Sequence, residues 1–201
     1  MLDVVRSEFI LGGQRSGKSR RAEMLARHWL AQSGDHRAVM IATGQAWDDE
    51  MAARIARHQA DRAERVPGMT TVEEPLALSE ALARSSEAHT LVVVDCLTLW
   101  LTNLLMPVEG VKSTASGDFE SNQPLAQAFT SRVAMLLVAI EKALGPVVLV
   151  GNEIGLGVIP MGRDTRAFVD ALGRLNQEVA AACQRVTFMA AGLPLYLKGA
   201  P

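Results

Sequence analysis

The chain has 201 residues, 49% of them hydrophobic, and this length and composition suit a globular protein with a sizeable core. Its formal net charge is −2, so it lacks the basic excess that a broad nucleic-acid-binding surface usually needs. Two cysteines are too few for a disulfide framework or a thiolate metal cluster. Because Cys96 and Cys183 both lie in apolar stretches, we expect them to be buried free thiols.

The sequence shows neither of the features that would predict a secretory or a membrane protein. The first nine residues contain no apolar core behind a basic end, so no signal peptide is predicted. The longest apolar runs, such as 133–140, fall well short of the roughly 18 residues that a membrane span requires. These features predict a cytoplasmic protein without a membrane span.

Short apolar runs rich in β-branched residues alternate with longer segments of helical periodicity. The predicted strands are 9–11, 38–41, 91–94, 147–150, 186–189 and 194–197, and the predicted helices are 18–32, 48–62, 76–84, 124–143 and 164–183. Strand–helix alternation predicts an α/β fold, with a mostly parallel sheet and helices on both faces. The last two strands, around Gly192, predict a C-terminal hairpin. We expect one domain over 1–201, with a mobile surface loop at 107–123, which is rich in Gly, Ser and acidic residues.

A phosphate-binding loop follows the first predicted strand. The residues fit G-x-x-x-x-G-K-[ST] in full, and they are Gly12, Gly13, Gln14, Arg15, Ser16, Gly17, Lys18 and Ser19. Glycines let the backbone curl so that its N–H groups face phosphate oxygens, and the following helix N-terminus adds partial positive charge. Lys18 is placed to reach the β- and γ-phosphates, and the Ser19 hydroxyl to bind Mg²⁺. The loop predicts binding of GTP or ATP without naming a second substrate.

Two carboxylates are candidates for the acid that holds or orients Mg²⁺. Asp95 ends the apolar run 91–94, in the manner of the second motif of phosphate-loop enzymes, and Glu153 closely follows the run 147–150. Either carboxylate could instead cap a following helix. Both would face the crevice at the carboxyl ends of the strands, where ligands bind in open α/β sheets.

The segment 42–62 carries a histidine between two arginines. On a helix beginning near Asp48 or Asp49, Arg54, His58 and Arg62 would share one face at intervals of four residues. Positive neighbours disfavour protonation of the imidazole, and the neutral form is the one that can attack phosphorus. The same pattern also fits a solvated, charged helix surface.

Three segments together resemble the bifunctional adenosylcobinamide kinase/adenosylcobinamide-phosphate guanylyltransferase family of cobalamin biosynthesis. They are FILGGQRSGKS at 9–19, IATGQAWDDEMAARIARHQADR at 41–62 and VVLVGNEIGLGVIPMGRDTRAFVDALGRLNQEVA at 147–180, and VVVDCLTLWLTNLL at 92–105 also matches. The phosphate loop is shared by many families, whereas the third segment is far more specific. The resemblance extends from about residue 8 to residue 198 and fails mainly at 107–123.

The resemblance implies a phosphate-loop NTPase fold of the RecA-like kind and two reactions. A nucleoside triphosphate phosphorylates adenosylcobinamide, and GTP then guanylylates a histidine that passes GMP to adenosylcobinamide phosphate. It implies His58 as that histidine and a homotrimer as the assembly. The implied GTP contacts outside the phosphate loop are Ala42, Thr43, Gly44, Gln59, Ala60, Asp61, Arg62, Glu73 and Asp95.

Alternative functions stay open at this point. The protein could be a kinase without guanylyl transfer, a GTP-dependent switch or an ATPase subunit acting on DNA. The sequence contains no N-K-x-D motif for reading guanine, and its charge balance does not favour DNA. Trp47 and Trp100 are candidates for contact with a corrinoid macrocycle, although tryptophan is more often a core residue.

Overall fold

The computed structural model describes residues 3–46, 48–106 and 123–199, with the side chains of Arg54 and of 123–126 left out. The strands are β1 (Ser7–Gly12), β2 (Arg37–Ala42), β3 (Met69–Glu73), β4 (Thr90–Asp95), β5 (Val147–Val150), β6 (Arg185–Ala190) and β7 (Leu193–Lys198). The helices are α1 (Lys18–Gln32), α2 (Asp49–Arg65), α3 (Leu78–Ser85), α4 (Leu97–Leu105), α5 (Gln123–Lys142) and α6 (Arg163–Ala182). The predicted loop at 107–123 lies outside the described residues except for Gln123, which begins α5.

All seven strands form one sheet in the order β3-β2-β4-β5-β1-β6-β7. Every neighbouring pair is parallel except β6 and β7, which form an antiparallel hairpin. The predicted mostly parallel α/β fold with a C-terminal hairpin is therefore confirmed. No helix among the described ranges is both long and apolar enough to cross a membrane.

Two apolar clusters cover the two faces of the sheet. Alternate residues of the central strands point to opposite faces, so Phe9 joins one cluster and Ile10 the other. The first cluster contains residues of α3, α4, α5 and α6, whereas the second contains Leu25 of α1 and Val66 at the end of α2. Burial on both faces explains why the central strands are continuous apolar runs.

A buried ion cluster joins α1 to the middle of the sheet. Glu8 of β1 is 1% exposed, and its Oε1 accepts hydrogen bonds from Arg21 Nε at 2.9 Å and from Thr187 Oγ1 at 2.8 Å. Arg185 Nη1 lies 3.5 Å from the second carboxylate oxygen of Glu8. These contacts fix the first turns of α1 against β1 and β6, because a buried charge is stable only with close partners.

Two elements were absent from the sequence-based prediction. Strand β3 pairs with β2 at the edge of the sheet, and most of its residues are exposed, so it has no continuous apolar run. Helix α4 is short and strongly apolar, and it buries residues on several sides, including Leu97, Trp100 and Asn103. Its sequence therefore lacks the one-sided periodicity of a surface helix.

Candidate functional site

The phosphate loop connects the end of β1 to the beginning of α1, as its sequence predicts. Three of its residues have positive φ angles, namely Gly12 at 152°, Arg15 at 57° and Gly17 at 100°. A Cβ atom on Gly12 would lie 2.4 Å from the carbonyl oxygen of Met189, so only glycine fits there. The backbone thus curls tightly around the N-terminus of α1, the arrangement that binds phosphate in such loops.

Lys18 is held inside this curl. Its side chain is buried, and Nζ donates to the carbonyl oxygen of Gly13 at 2.5 Å and to Ser16 Oγ at 3.5 Å. Burial lowers the pKa of the Lys18 amine, while the neighbouring Cys96 and Asp95 act in the opposite direction. The amine is therefore held by the phosphate loop itself, at the position from which the motif predicts contact with phosphate oxygens.

The register of the sheet brings several predicted residues to its carboxyl edge. Ala42 is paired with Glu73 on one side and with Asp95 on the other. Thr43 follows directly, and its N–H donates to the Asp95 carbonyl oxygen at 3.2 Å. The ends of β3, β2 and β4 therefore form one row that continues through β5 to β1 and the phosphate loop.

A buried polar network that sequence reasoning missed supports this edge. Thr43 is fully buried, and its Oγ1 donates to the Cys96 carbonyl oxygen at 2.7 Å and accepts from the Cys96 N–H at 2.9 Å. Asn103 of α4 donates to the carbonyl oxygens of Thr43 at 2.8 Å and Pro75 at 3.1 Å. The Thr43 hydroxyl is thus committed to the protein itself. An asparagine in an apolar helix was the only sequence signal for this network.

Both cysteines are buried free thiols, as predicted. Burial raises the pKa of the Cys96 thiol to about 12 and that of the Cys183 thiol to about 12. Each sulfur therefore stays protonated at neutral pH. Because the thiolate is the reactive form, neither cysteine is suited to act as a nucleophile, although Cys96 adjoins Asp95.

Helix α2 carries the predicted nucleophile. Asp48 caps its N-terminus, accepting the Met51 N–H at 2.7 Å, and His58 is exposed nearly three turns further on. The adjacent Gln59 donates to Glu73 Oε1 at 3.0 Å, which places this level of the helix beside the carboxyl edge of the sheet.

The other predicted residues of α2 have separate surroundings. Arg62 is buried and donates to Thr71 Oγ1 at 3.3 Å, whereas Asp61 pairs with Arg65 at 2.8 Å. The Arg54 side chain lies outside the described residues, so the predicted flanking of His58 by two arginines stays a prediction.

Asp95 and Glu153 occupy different positions relative to the phosphate loop. Asp95 is partly buried, and its charge opposes the lowering of the Lys18 pKa by burial. Glu153 is attached through its backbone, whose N–H donates to the Gly12 carbonyl oxygen at 3.2 Å, and its Oε1 accepts from the Gly155 N–H at 2.8 Å. One oxygen of the Glu153 carboxylate is therefore engaged by its own loop, and the role of Asp95 as the acid that holds Mg²⁺ stays a prediction.

The donor set at this edge fits Mg²⁺. Ser19 lies in the first turn of α1 and supplies a hydroxyl, and Asp95 supplies carboxylate oxygens, which are the ligands that Mg²⁺ prefers. Among the described residues there is no group of three or more His, Cys, Asp or Glu side chains that could hold a metal ion. Mg²⁺ bound mainly through substrate phosphates needs only one or two protein ligands.

The structure also decides between the roles considered for Trp100. Trp100 is 1% exposed, and its Nε1 donates to the Leu76 carbonyl oxygen at 3.0 Å, so it is a core residue. Trp47 lies outside the described residues. No corrinoid-binding aromatic surface is therefore provided by Trp100.

The C-terminal hairpin contributes to the phosphate loop, which the sequence did not indicate. The Gly192 N–H donates to the Ser16 carbonyl oxygen at 3.0 Å. A Cβ atom on Gly17 would lie 3.2 Å from Gly192 Cα. This close approach depends on tertiary packing between distant segments, so no local pattern could have predicted it.

Comparison with known proteins agrees with this geometry. Residues 8–197 match the model of a family described as "Cobinamide kinase / cobinamide phosphate guanyltransferase". The bifunctional adenosylcobalamin biosynthesis protein CobP of Pseudomonas aeruginosa is 46% identical over 194 residues, which cover 96% of this chain and 98% of that protein. The proteins named CobU of Escherichia coli and Salmonella typhimurium are 38% and 34% identical over 190 residues, covering 94% of this chain and 98% of each relative. The chain therefore belongs to the cobinamide kinase/cobinamide phosphate guanyltransferase family.

Proposed function

We propose that the protein phosphorylates adenosylcobinamide with a nucleoside triphosphate and then transfers GMP from GTP, through a guanylylated His58, to give adenosylcobinamide-GDP. The observation that carries this proposal is the match of nearly the whole chain to a family whose description names both reactions. The curled phosphate loop and the row of strand ends beside it support the proposal, because together they would form the nucleotide site. GTP and ATP are substrates in this scheme.

In the kinase step, the alcohol oxygen of the acceptor attacks the γ-phosphorus and the nucleoside diphosphate leaves. Lys18 and the N–H groups of the residues from Gly13 to Ser19 would bind the phosphate oxygens and stabilise the negative charge in the transition state. Ser19 and Asp95 would hold Mg²⁺, which neutralises phosphate charge when bound.

In the guanylyl step, a ring nitrogen of His58 attacks the α-phosphorus of GTP. A P–N bond forms, the bond to the β-phosphate oxygen breaks, and pyrophosphate leaves. A phosphate oxygen of adenosylcobinamide phosphate then attacks the same phosphorus and breaks the P–N bond, which regenerates the histidine. Gln59 follows His58 in the chain, and its hydrogen bond to Glu73 brings that residue close to the same turn of α2. We propose that both residues contact GTP. The other proposed GTP contacts outside the phosphate loop are Ala42, Thr43, Gly44, Ala60, Asp61, Arg62 and Asp95.

We also propose where the enzyme is located and how its chains assemble. We place it in the cytoplasm as a homotrimer, with no nucleic-acid partner. A solution mass near three times the 21.6 kDa chain mass would support the trimer. Light scattering that gives a monomer mass would contradict it.

One observation favours a second candidate, a kinase without guanylyl transfer. His58 is exposed, and it forms no hydrogen bond with any described side chain that would orient its ring. Nucleophilic histidines are commonly oriented by a partner. The two candidates differ in whether the enzyme becomes covalently labelled by GTP.

The decisive experiment incubates the protein with Mg²⁺ and GTP labelled with ³²P at the α-position, followed by denaturing electrophoresis. We expect an acid-labile, alkali-stable label on wild type and on His89→Ala, an exposed histidine at the opposite edge of the sheet. His58→Ala should carry no label yet still transfer γ-phosphate to adenosylcobinamide, whereas Lys18→Met should lose both activities. Wild type that transfers γ-phosphate without becoming labelled would establish the kinase-only alternative.

A further inference from the structure

The segment after Glu153 exposes large apolar side chains in close succession. Within 154–161, which we call the apolar loop, five such side chains are exposed, namely Ile154, Leu156, Val158, Ile159 and Met161. Val158 and Met161 are each 96% exposed and therefore make almost no packing contacts with the described part of the chain. A single exposed apolar residue is common, whereas a run of this kind usually marks a binding surface.

The backbone of the apolar loop is attached at both ends. Its first residues follow Glu153, which bonds to Gly12 of the phosphate loop, and the Gly155 N–H bonds to the Glu153 carboxylate. At its other end, Arg166 Nη1 donates to the carbonyl oxygens of Pro160 at 2.9 Å and Met161 at 2.6 Å. The loop is thus held with its apolar side chains facing solvent, which lowers the entropy cost of binding a partner.

The position of the loop selects the class of partner. It leaves the sheet directly beside the phosphate loop, where an acceptor hydroxyl must meet the γ-phosphorus. The residues 154–161 contain no charged side chain, so they suit the apolar part of an acceptor better than a phosphate or a ribose. A second copy of the chain fits better at β7, an open edge strand that exposes Leu193, Leu195 and Leu197.

We propose that the apolar loop is the docking surface for the corrin macrocycle of the acceptor, an inference that rests on the proposed function. The side chains of Leu156, Val158 and Met161 would pack against the macrocycle while its hydroxyl-bearing arm reaches the phosphate loop. The same surface would serve adenosylcobinamide and its phosphate, because the two acceptors share the macrocycle. Burial of the loop side chains supplies binding energy without contact to the nucleotide.

The test compares Val158→Ser/Met161→Ser with wild type and with Met135→Ser/Leu144→Ser. The control pair removes exposed apolar side chains from α5 and the turn after it, away from the phosphate loop. All four residues are exposed, so folding should be unaffected. We expect the Kd for adenosylcobinamide, measured by equilibrium dialysis, and the acceptor KM to rise roughly tenfold or more in the loop variant alone. The KM for GTP and the labelling by GTP should stay at the wild-type level.

Two results would contradict the inference without contradicting the proposed function. An acceptor Kd within twofold of wild type would show that the macrocycle binds elsewhere. A changed sedimentation coefficient of the loop variant would assign the loop to a contact between copies of the chain. Wild type that binds no adenosylcobinamide at all would instead remove both the proposed function and the inference.

Discussion

Helices α1 and α2 begin at the same edge of the sheet and lie on the same face, but they are packed very differently. Six side chains of α1 are buried, including Lys18, Arg21 and Leu25. Of the described side chains of α2, only that of Arg62 is buried. The two helices are joined by an ion pair of 2.7 Å between Glu23 and Arg65.

The contrast fits the two chemical tasks. A site that binds phosphates in every reaction cycle requires fixed N–H groups, and the packing of α1 provides them. A nucleophile that acts on the α-phosphorus while the kinase step acts on the γ-phosphorus requires a nucleotide or a helix that can shift. Because α2 buries fewer side chains than α1, we expect its displacement to cost less free energy than that of α1.

The largest expected effect in this comparison comes from removing one ion-pair partner on each helix. Arg21→Met leaves Glu8 buried with Arg185 as its remaining cationic partner, so we expect a loss of about 3 kcal/mol in the free energy of unfolding. Asp61→Asn removes the exposed partner of Arg65 on α2 and should cost less than about 1 kcal/mol. Urea unfolding of both variants measures the difference, and equal losses would contradict the contrast.

A second, smaller effect concerns the rigidity of the phosphate loop ahead of α1. Gly12→Ala forces a side chain into the Met189 carbonyl at a φ angle that disfavours alanine, and should cost roughly 2 kcal/mol. Gly13→Ala is the matched control, since a Cβ atom there meets nothing within 4 Å. We expect its unfolding free energy to stay within about 0.5 kcal/mol of wild type. Similar thermal or urea stability of the two variants would refute the tight fit.

The smallest effect is a difference in local opening without any mutation. Backbone amides in the middle of α2, near His58, should exchange with deuterium about tenfold faster than those near Leu25 of α1, a difference of about 1.4 kcal/mol in opening free energy. Mass spectrometry of peptides from the native protein measures both rates. Equal protection would mean that α2 is as firmly packed as α1.

Sequence reasoning predicted the parts of this molecule that depend on local patterns. Central strands such as β4 are buried on both faces and read directly as apolar runs, and the bounds of α1 agreed to the residue. Strand β3 was not predicted because edge residues such as Thr70 and Thr71 are exposed to solvent and need no apolar pattern. The strand exists because it pairs with β2, which is a non-local cause.

The candidate site also has one part that local patterns predicted and another part that they could not predict. The phosphate loop is a contiguous motif, so its residues could be predicted individually, and the structure curls them as expected. The Thr43–Asn103 network and the support from Gly192 join residues far apart in the chain. Such contacts form only when the sheet assembles, so they cannot be predicted from periodicity or residue spacing.

The hydrogen bond from Gly192 to Ser16 also has a consequence for protein synthesis. Strand β1 must pair with β6, and the phosphate loop is completed by a turn that is synthesised long after the loop itself. At ordinary elongation rates, roughly 9 to 35 s separate the synthesis of Gly17 from that of Gly192. A nascent chain on the ribosome therefore has the phosphate-binding motif long before it has the phosphate-binding structure, and nucleotide cannot assist its folding until the C-terminal hairpin has emerged.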